Sequence, residues 1–473
     1  MPWRTAHHLR RIEDFLHAFW LRQTSLARAE RMSREELAAL QERRLRALVA
    51  HARARSPYYR ERLAGTDPER CSLRELPILN KQLLMEHFDE IVTDEQLNLP
   101  ALEAQVQTMW VETYVRDQYR VLPTSGSSGF RSIVVYDRRA WRWVLAASLR
   151  EAYMAGMRPR IPRPRVAFIL AGNPAHLSFI VGSGTSVGAT TSLRLSASVS
   201  FASLIEPLNT FQPRMLVTYP TVASYLAQEQ IEGRLRIGPR IVTLSAEVLA
   251  DEVRRRIVQA WGVEPFNTYA ATEGGVMAAD CERHSGMHCF EDLLLFEVVN
   301  ERYEPVAPGD QGRKLLVTNL MNYAQPLIRY ELNDILTMSP EPCACGRPFR
   351  VIERIAGRPQ EVFYLEDASG RHVPVFPALT LGEPLILHPR VREFQMTQEL
   401  DGLDINVVPR DGAQDLERDV SAAVTNSIQE AGLRAPAIRV HVLGALPRDP
   451  SKMDKLPMFK RNFDESALQA GSK

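Results

Sequence analysis

The chain has 473 residues, of which 45% are hydrophobic and 24% are charged, the balance of an ordinary globular protein. This length is too great for one hydrophobic core and predicts two to four structural units. Lysine and arginine total 58 against 57 aspartates and glutamates, so the net charge of +1 provides no global field to attract nucleic acid or an anionic membrane.

The sequence also predicts a cytoplasmic protein. The basic start has no apolar run behind it to serve as a secretory signal, and the longest apolar stretch, around Val166 to Ala171, is far below the roughly 18 residues of a membrane span. Five cysteines cannot all pair, so we expect reduced thiols that are available as metal ligands. The oligomeric state is open, with a homodimer as one alternative.

The first clear element is a helix with a capping box formed by Ser33 and Glu36. Leucines at helical spacing extend it to about His51, and Ser56-Pro57 breaks it. The arginines between Arg34 and Arg62 alternate with glutamates, which is more typical of a solvated helix face than of a nucleic-acid patch.

From Val121 onward, short apolar strands alternate with helices, which predicts a doubly wound α/β sheet. We expect strands at 132–136, 165–171, 215–218 and 241–244, and a helix at 246–261 that Gly262 ends. Beyond Arg358 the pattern becomes strands at 391–397 and 403–408, a helix at 415–431 and a strand at 438–443. This second unit is large enough to be a domain, and the turn Gly357-Arg358-Pro359 is the candidate hinge.

A serine- and glycine-rich segment, Thr124-Ser-Gly-Ser-Ser-Gly129, lies directly before the strand at 132–136. Glycines allow backbone N–H groups to approach an anion, and the hydroxyls can donate hydrogen bonds to phosphate oxygens. The spacing is not that of a Walker A loop. A flexible connection is the alternative interpretation of this segment considered alone.

Read in order, four segments resemble the motifs of the adenylate-forming enzymes. Thr124–Gly129 is similar to their phosphate-binding signature, and Tyr269-Ala-Ala-Thr-Glu273 to their second motif. Residues 326–334 (PLIRYELND) resemble the ribose-binding segment, and 355–358 (IAGR) the motif before the hinge. Residues 281–292 (CERHSGMHCFED) and 343–347 (CACGR) are similar to segments of the phenylacetate–CoA ligase and coenzyme F390 synthetase-like branch. The resemblance covers roughly residues 30–460.

This resemblance implies an α/β fold with a large multi-layer N-terminal adenylation domain, 1–357, and a small mobile α+β domain, 358–473. It implies activation of a carboxylic acid by ATP, as an acyl-adenylate, and transfer to coenzyme A. The acid is expected to be small and aromatic. Two alternatives stay open: transfer to a carrier-protein thiol or to an amine, and a non-catalytic nucleotide-binding relative.

The resemblance also assigns expected roles to residues. Thr272 would contact the α-phosphate, Glu273 would bind Mg²⁺, and Asp334 would accept hydrogen bonds from the ribose hydroxyls. The remaining expected contacts to ATP come from the loop, the adenine-contacting segment, the aromatic residue of the second motif and the arginine before the hinge: Ser125, Gly126, Ser127, Ser128, Gly129, Ser245, Ala246, Glu247, Tyr269 and Arg358. Each residue alone has a structural explanation, such as a turn or a helix terminus.

The tail at 446–455 resembles the motif that carries the catalytic lysine of the family, but the usual glycine is missing. Lys452 and Lys455 are therefore both candidates, and a solvated tail lysine is the alternative for each. Pro359 follows Arg358 where relatives usually carry an aspartate or lysine pivot, so domain rotation is expected to be restricted or displaced along the chain.

Cys281, His288, Cys343 and Cys345 form a candidate metal site. Three thiolates and one imidazole make a closed tetrahedral set for a structural Zn²⁺, and Gly346 lets the backbone bend after Cys345. Buried free thiols are the alternative. His284 is the competing imidazole, and Cys71 and Cys289 are left over.

Overall fold

The structure is a computed structural model of the chain. It describes residues 2–107, 113–124, 132–170, 176–185, 188–197, 201–357, 361–368, 370, 372–375, 377, 381–386, 388, 390–410, 414–446 and 458–463. Among these residues, every helix is too short or too polar to cross a membrane.

The chain begins with helices. Ser33 caps the helix Arg34–Arg55 by accepting a hydrogen bond from Glu36 N, while its own N–H donates to the Glu36 carboxylate. The predicted capping box is therefore confirmed, and Pro57 starts the next helix at its favourable first position. The helices of this region are Pro2–Leu21, continued by a π-helical turn Arg22–Leu26 and by Ala27–Ala29, then Arg34–Arg55, Pro57–Arg62, Lys81–Glu86, Phe88–Ile91 and Leu99–Gln107.

Nine of the described strands form the central sheet, in the order β13-β14-β9-β8-β7-β6-β5-β3-β4. Their bounds are β3 Arg165–Leu170, β4 Thr191–Ser196, β5 Met215–Thr218, β6 Ile241–Ser245, β7 Phe266–Ala271, β8 Gly275–Asp280, β9 Met287–Cys289, β13 Ile335–Met338 and β14 Val351–Gly357. Strands β4, β3, β5, β6 and β7 are parallel, and the rest of the sheet is antiparallel. Helices connect the parallel strands: Leu177–Thr185, Ile205–Phe211, Pro220–Ile231 and Asp251–Trp261, and the helix Arg138–Met154 precedes β3.

The helix predicted at 246–261 begins five residues later than expected. Ala246 is in the left-handed region, with φ of 69°, so the chain turns there instead of entering a helix. Asp251 and Glu252 occupy the first turn of the observed helix, where the helix dipole favours negative charge. The predicted end is confirmed, because Gly262 caps it with φ of 67°.

Two smaller sheets lie beside the central one. A hairpin pairs β1 (Tyr119–Pro123) with β2 (Ile133–Asp137), and a second sheet contains β10 (Leu294–Val299), β11 (Lys314–Asn319) and β12 (Tyr330–Leu332). Thr124, the first residue of the serine- and glycine-rich segment, directly follows β1, and β12 lies in the segment before Asp334.

The central sheet ends at Gly357, and later strands form separate sheets. Their order is β19-β18-β17-β20 in one sheet and β15-β16 in the other. The bounds in this part are β15 Phe363–Glu366, β16 His372–Val375, helix Glu383–Ile386, β17 Val391–Glu399, β18 Gly402–Pro409, helix Leu416–Glu430, β19 Ile438–Val442 and β20 Phe459–Arg461. The predicted paired strands, helix and final strand are confirmed within two residues, and the boundary at 357/358 stays a prediction.

Candidate active site

A cavity of about 240 Å³ opens at the carboxyl edge of the parallel strands. Strand ends meet at this edge in doubly wound sheets, where ligands characteristically bind. Both polar and apolar residues line the cavity. Its lining includes the motif residues Thr124, Ser245, Ala246, Thr272, Glu273 and Asp334.

The second motif and the ribose-type motif are in direct contact beside this cavity. Tyr269 lies on β7, and its hydroxyl donates a hydrogen bond of 2.6 Å to Asp334 Oδ2. Both residues are buried, and they are 65 positions apart in the chain. The structure therefore brings Thr272, Glu273 and Asp334 to one place, as the ordered motifs predict.

The turn after β7 holds Glu273 through its backbone. Tyr136 Oη donates to the Thr272 carbonyl at 2.6 Å, and Asn319 Nδ2 donates to the Glu273 carbonyl at 2.9 Å. Burial raises the pKa of Tyr136 and Tyr330, and the neighbouring Glu273 carboxylate raises both pKa values further. Both phenols thus stay neutral and surround a buried carboxylate that faces the cavity.

The candidate phosphate-binding residues Ser125, Gly126, Ser127, Ser128 and Gly129 lie outside the described residues. The residues on either side of the gap are described. Thr124 N donates to Ser132 O at 2.8 Å, and the two hydroxyl oxygens are 3.0 Å apart. Because Thr124 lines the cavity, the segment starts at the same site as Glu273 and Asp334.

Two residues of the segment Ser245-Ala246-Glu247 line the cavity, and the third contacts a neighbouring helix. Ser245 and Ala246 line the cavity, and Ala246 has the positive φ noted above. Glu247 accepts hydrogen bonds from Thr221 N and Thr221 Oγ1, at 2.9 and 3.0 Å, at the start of the helix Pro220–Ile231. Its carboxylate therefore anchors this segment to the neighbouring helix.

Three further candidates lie outside the described residues: Arg358, Lys452 and Lys455. Their predicted roles stay predictions.

The cavity lining also contains residues that the sequence analysis did not predict. Glu151, on the helix Arg138–Met154, reaches the cavity together with Thr243 and Thr268. Burial raises the pKa of Glu151 to about 7. Lys81 also lines the cavity, as does His176, whose Nδ1 is 2.8 Å from Ser178 Oγ. A helical glutamate carries no local signal for such a position, because its surroundings come from distant strands.

The four predicted metal ligands cluster in space. The ligand atoms of Cys281, His288, Cys343 and Cys345 all lie within 4.8 Å of one another, and three of the four residues are buried. Cys281 Sγ is 3.8 Å from Cys343 Sγ, and Cys345 Sγ is 3.4 Å from His288 Nε2. The cluster joins the β8–β9 turn to the loop before β14.

These separations fit a tetrahedral zinc ion. Zn–S bonds of about 2.3 Å and Zn–N bonds of about 2.0 Å require edges of roughly 3.8 Å between sulfurs and 3.5 Å between sulfur and nitrogen. Gly346 has φ of 80°, in agreement with the predicted bend after Cys345. His284 packs on the Phe266 ring and is outside the cluster, as are Cys71 and Cys289.

Comparison with curated proteins finds relatives along most of the chain. A phenylacetate–coenzyme A ligase of Escherichia coli is 28% identical over 468 residues, which cover 91% of this chain and 96% of the relative. The same enzyme of Thermus thermophilus is 26% identical over 432 residues, 87% of this chain and 90% of the relative. No family model matches.

Solved structures share the fold. A 2-hydroxyisobutyryl-CoA ligase in its postadenylation state superposes with a TM-score of 0.71, at 21% identity, over 94% of this chain and 93% of the other. The same ligase in its thioesterification state gives a TM-score of 0.59 over 94% of both chains, again at 21% identity. These similarities agree with the resemblance of the ordered motifs to the adenylate-forming enzymes and their phenylacetate–CoA ligase-like branch.

Proposed function

We propose that the chain activates a compact carboxylic acid with ATP, forming an acyl-adenylate, and passes the acyl group to coenzyme A. The observation that carries this proposal is the meeting of Thr272, Glu273 and Asp334 at one cavity that apolar residues also line. The curated relatives, named as phenylacetate–coenzyme A ligases, support the same reaction class.

The chemistry explains why such a cavity is needed. A carboxylate is a poor electrophile, because its leaving group would be oxide. Its oxygen attacks the α-phosphorus of ATP, the bond from that phosphorus to the bridging oxygen breaks, and pyrophosphate leaves. The thiol sulfur then attacks the acyl carbon, the bond to AMP breaks, and the thiol proton passes to a base. Both reactants of the first step are anionic, so precise positioning and positive electrostatics are required.

The nucleotide would bind beside the motif residues that line the cavity. Asp334 would accept hydrogen bonds from the ribose hydroxyls, and it keeps acceptor capacity beside the bond from Tyr269, because a carboxylate has about four lone-pair sites. Thr272 would donate to the α-phosphate. Ser245 and Ala246 would lie against adenine, and residues 125–129, which follow Thr124, would hold the β- and γ-phosphates.

Mg²⁺ fits the buried carboxylate of Glu273, because a hard cation prefers oxygen ligands. When bound, the ion would neutralise phosphate charge. The chain's own contribution is to hold Glu273 at the cavity through the Asn319 and Tyr136 hydrogen bonds to the turn.

Zn²⁺ would have a structural role at Cys281, His288, Cys343 and Cys345. Four protein ligands leave no open coordination position for a substrate. The metal would tie together two segments that are distant in the chain, since Cys281 and Cys343 are 62 residues apart and His288 and Cys345 are 57 apart.

Lys452 or Lys455 would bridge the carboxylate and the α-phosphate, and Arg358 would bind near the ribose. We assign these roles from the resemblance of the tail and hinge motifs. The domain that would deliver the lysine is residues 358–473.

The test is incubation of the full chain with ATP, Mg²⁺, coenzyme A and a panel of acids, with product identification by mass spectrometry. We expect acid-dependent AMP and acyl-CoA. Acyl-adenylate without thioester would instead favour a carrier-protein thiol or an amine as acceptor. ATP binding without acid-dependent AMP for any acid would contradict the proposal and indicate a non-catalytic relative.

A further inference from the structure

The lining of the cavity includes an ionisable group that the proposed reaction does not use. Glu151 lines the cavity together with apolar residues, which are Leu149, Val166, Phe168, Met215 and Val217. Its carboxylate has one hydrogen bond within the described residues, from Thr268 Oγ1 at 3.3 Å. A carboxylate removed from water is costly unless other groups satisfy its acceptors.

A second polar atom lies on the same wall. Thr243 Oγ1 is buried and has no hydrogen-bond partner within the described residues. Ser245 on β6 pairs with Thr268 on β7, and strand residues two apart point to the same face, so Thr243, Ser245 and Thr268 all face the cavity. Two under-satisfied polar groups thus face one cavity, where buried groups normally find partners.

We infer that the acid activated by this chain carries a hydrogen-bond donor, an amino or hydroxyl group, at the end opposite its carboxylate, and that Glu151 accepts from it. The inference rests on the proposed function and specifies the substrate class. Burial raises the pKa of Glu151 to about 7 and thus favours its neutral form. A hydrogen-bond donor on the substrate would act in the opposite direction and favour the charged carboxylate of Glu151.

The position of Glu151 also orients the acid. Thr268, the hydrogen-bond partner of Glu151, precedes Thr272 by four residues, and all three residues line the same cavity. A charged Glu151 repels the carboxylate of the acid and so favours the pose in which the carboxylate lies at the nucleotide end.

The test uses the full chain and acid-dependent exchange of labelled pyrophosphate into ATP. The panel consists of aryl acids that differ in one ring substituent at each position: hydrogen, methyl, methoxy, hydroxyl or amino. We expect at least one hydroxyl- or amino-substituted acid to exceed its hydrogen, methyl and methoxy counterparts by about 100-fold or more in kcat/KM, because a buried acceptor left unpaired is strongly disfavoured. Glu151→Met is expected to remove that preference and to favour the methyl acid, whereas Glu151→Gln keeps the side-chain size and part of the preference.

The experiment distinguishes failure of this inference from failure of the proposed function. Exchange that is as fast with hydrogen or methyl acids as with every donor-bearing acid, or a Glu151→Met variant that lowers kcat/KM equally for all acids, overturns this inference alone. No exchange with any acid overturns the proposed function and the inference together. If Glu151→Met does not fold, the panel on the parent chain and the Glu151→Gln variant decide.

Discussion

The most informative residue pair at the site is Tyr269 and Asp334. Their side chains come from motifs 65 positions apart and form a buried hydrogen bond of 2.6 Å. We expect Asp334→Asn to raise the KM for ATP by about 10-fold or more, because a charged acceptor for hydroxyl donors contributes on the order of 1.5–3 kcal/mol. The measurement is the ATP dependence of pyrophosphate exchange.

Tyr269→Phe is the matched control for that change. It removes the hydrogen bond to Asp334 but leaves the carboxylate, so a KM increase of only a few-fold is expected. An unchanged KM for ATP in Asp334→Asn would remove Asp334 from the nucleotide site.

For individual residues, the sequence predicts membership of the site when the residue belongs to a contiguous motif. It does not predict membership when only tertiary contacts bring the residue to the site. Thr272, Glu273 and Asp334 belong to contiguous motifs and all line the cavity as expected. Glu151 occupies an unremarkable helical position, and distant strands alone create its surroundings.

At the scale of elements, the candidate metal site of Cys281, His288, Cys343 and Cys345 joins the β8–β9 hairpin to the loop before β14. The sequence identified its four residues, but the preference for His288 over His284 depends on strand register. His288 lies on β9, opposite Val351 and Ala279, whereas His284 is in the preceding turn. Spacing alone could not show which imidazole faces the thiols.

We expect the purified chain to contain about one equivalent of zinc, because the ligand set is closed and tetrahedral. Cys343→Ala should reduce the zinc content to a small fraction of one equivalent and lower the melting temperature. Cys289→Ala, at a buried cysteine outside the cluster, should retain the metal. Elemental analysis of the three proteins is the measurement, and equal zinc in all three would contradict the assignment.

A second element-scale prediction concerns the helix Arg138–Met154. Arg150 is fully buried and donates to both oxygens of Asp292, at 2.7 and 2.6 Å, which fixes this helix to the segment before β10. Arg150→Met should lower the free energy of unfolding by about 3–5 kcal/mol, because it leaves Asp292 buried with less compensation.

Chemical denaturation measures this loss. The double change Arg150→Met with Asp292→Leu should recover much of it, since replacing both members of a buried pair by apolar groups costs less than breaking the pair. A single-variant loss below about 1 kcal/mol would contradict the account.

At the scale of the whole molecule, the part after Gly357 packs against the first part. Buried residues of both parts form one apolar cluster, including Leu226, Ile257, Leu385 and Phe394. Arg410 adds a link that is nearly buried, with its Nη1 3.3 Å from Glu229 Oε1. The composition shift near Arg358 predicts two units, but only the folded arrangement shows which surfaces meet.

We expect Arg410→Gln to favour separation of the two parts by about 5- to 30-fold, the effect of 1–2 kcal/mol, because Glu229 loses an ion-pair partner from the later part. Hydrogen exchange in the helix Pro220–Ile231 should then speed up. Arg439→Gln, whose ion pairs with Asp401 and Asp404 lie within the later part, should leave that exchange unchanged. Equal effects of both variants would contradict a role of Arg410 between the parts.

The central claim is that one cavity activates a carboxylic acid with ATP. Its most direct test is acid-dependent exchange of labelled pyrophosphate into ATP by the full chain, compared with Glu273→Gln. We expect exchange that requires the acid and that falls by about 100-fold or more in the variant, because the carboxylate proposed to hold Mg²⁺ at the phosphates is lost. Exchange that needs no acid, or that Glu273→Gln leaves intact, would contradict it.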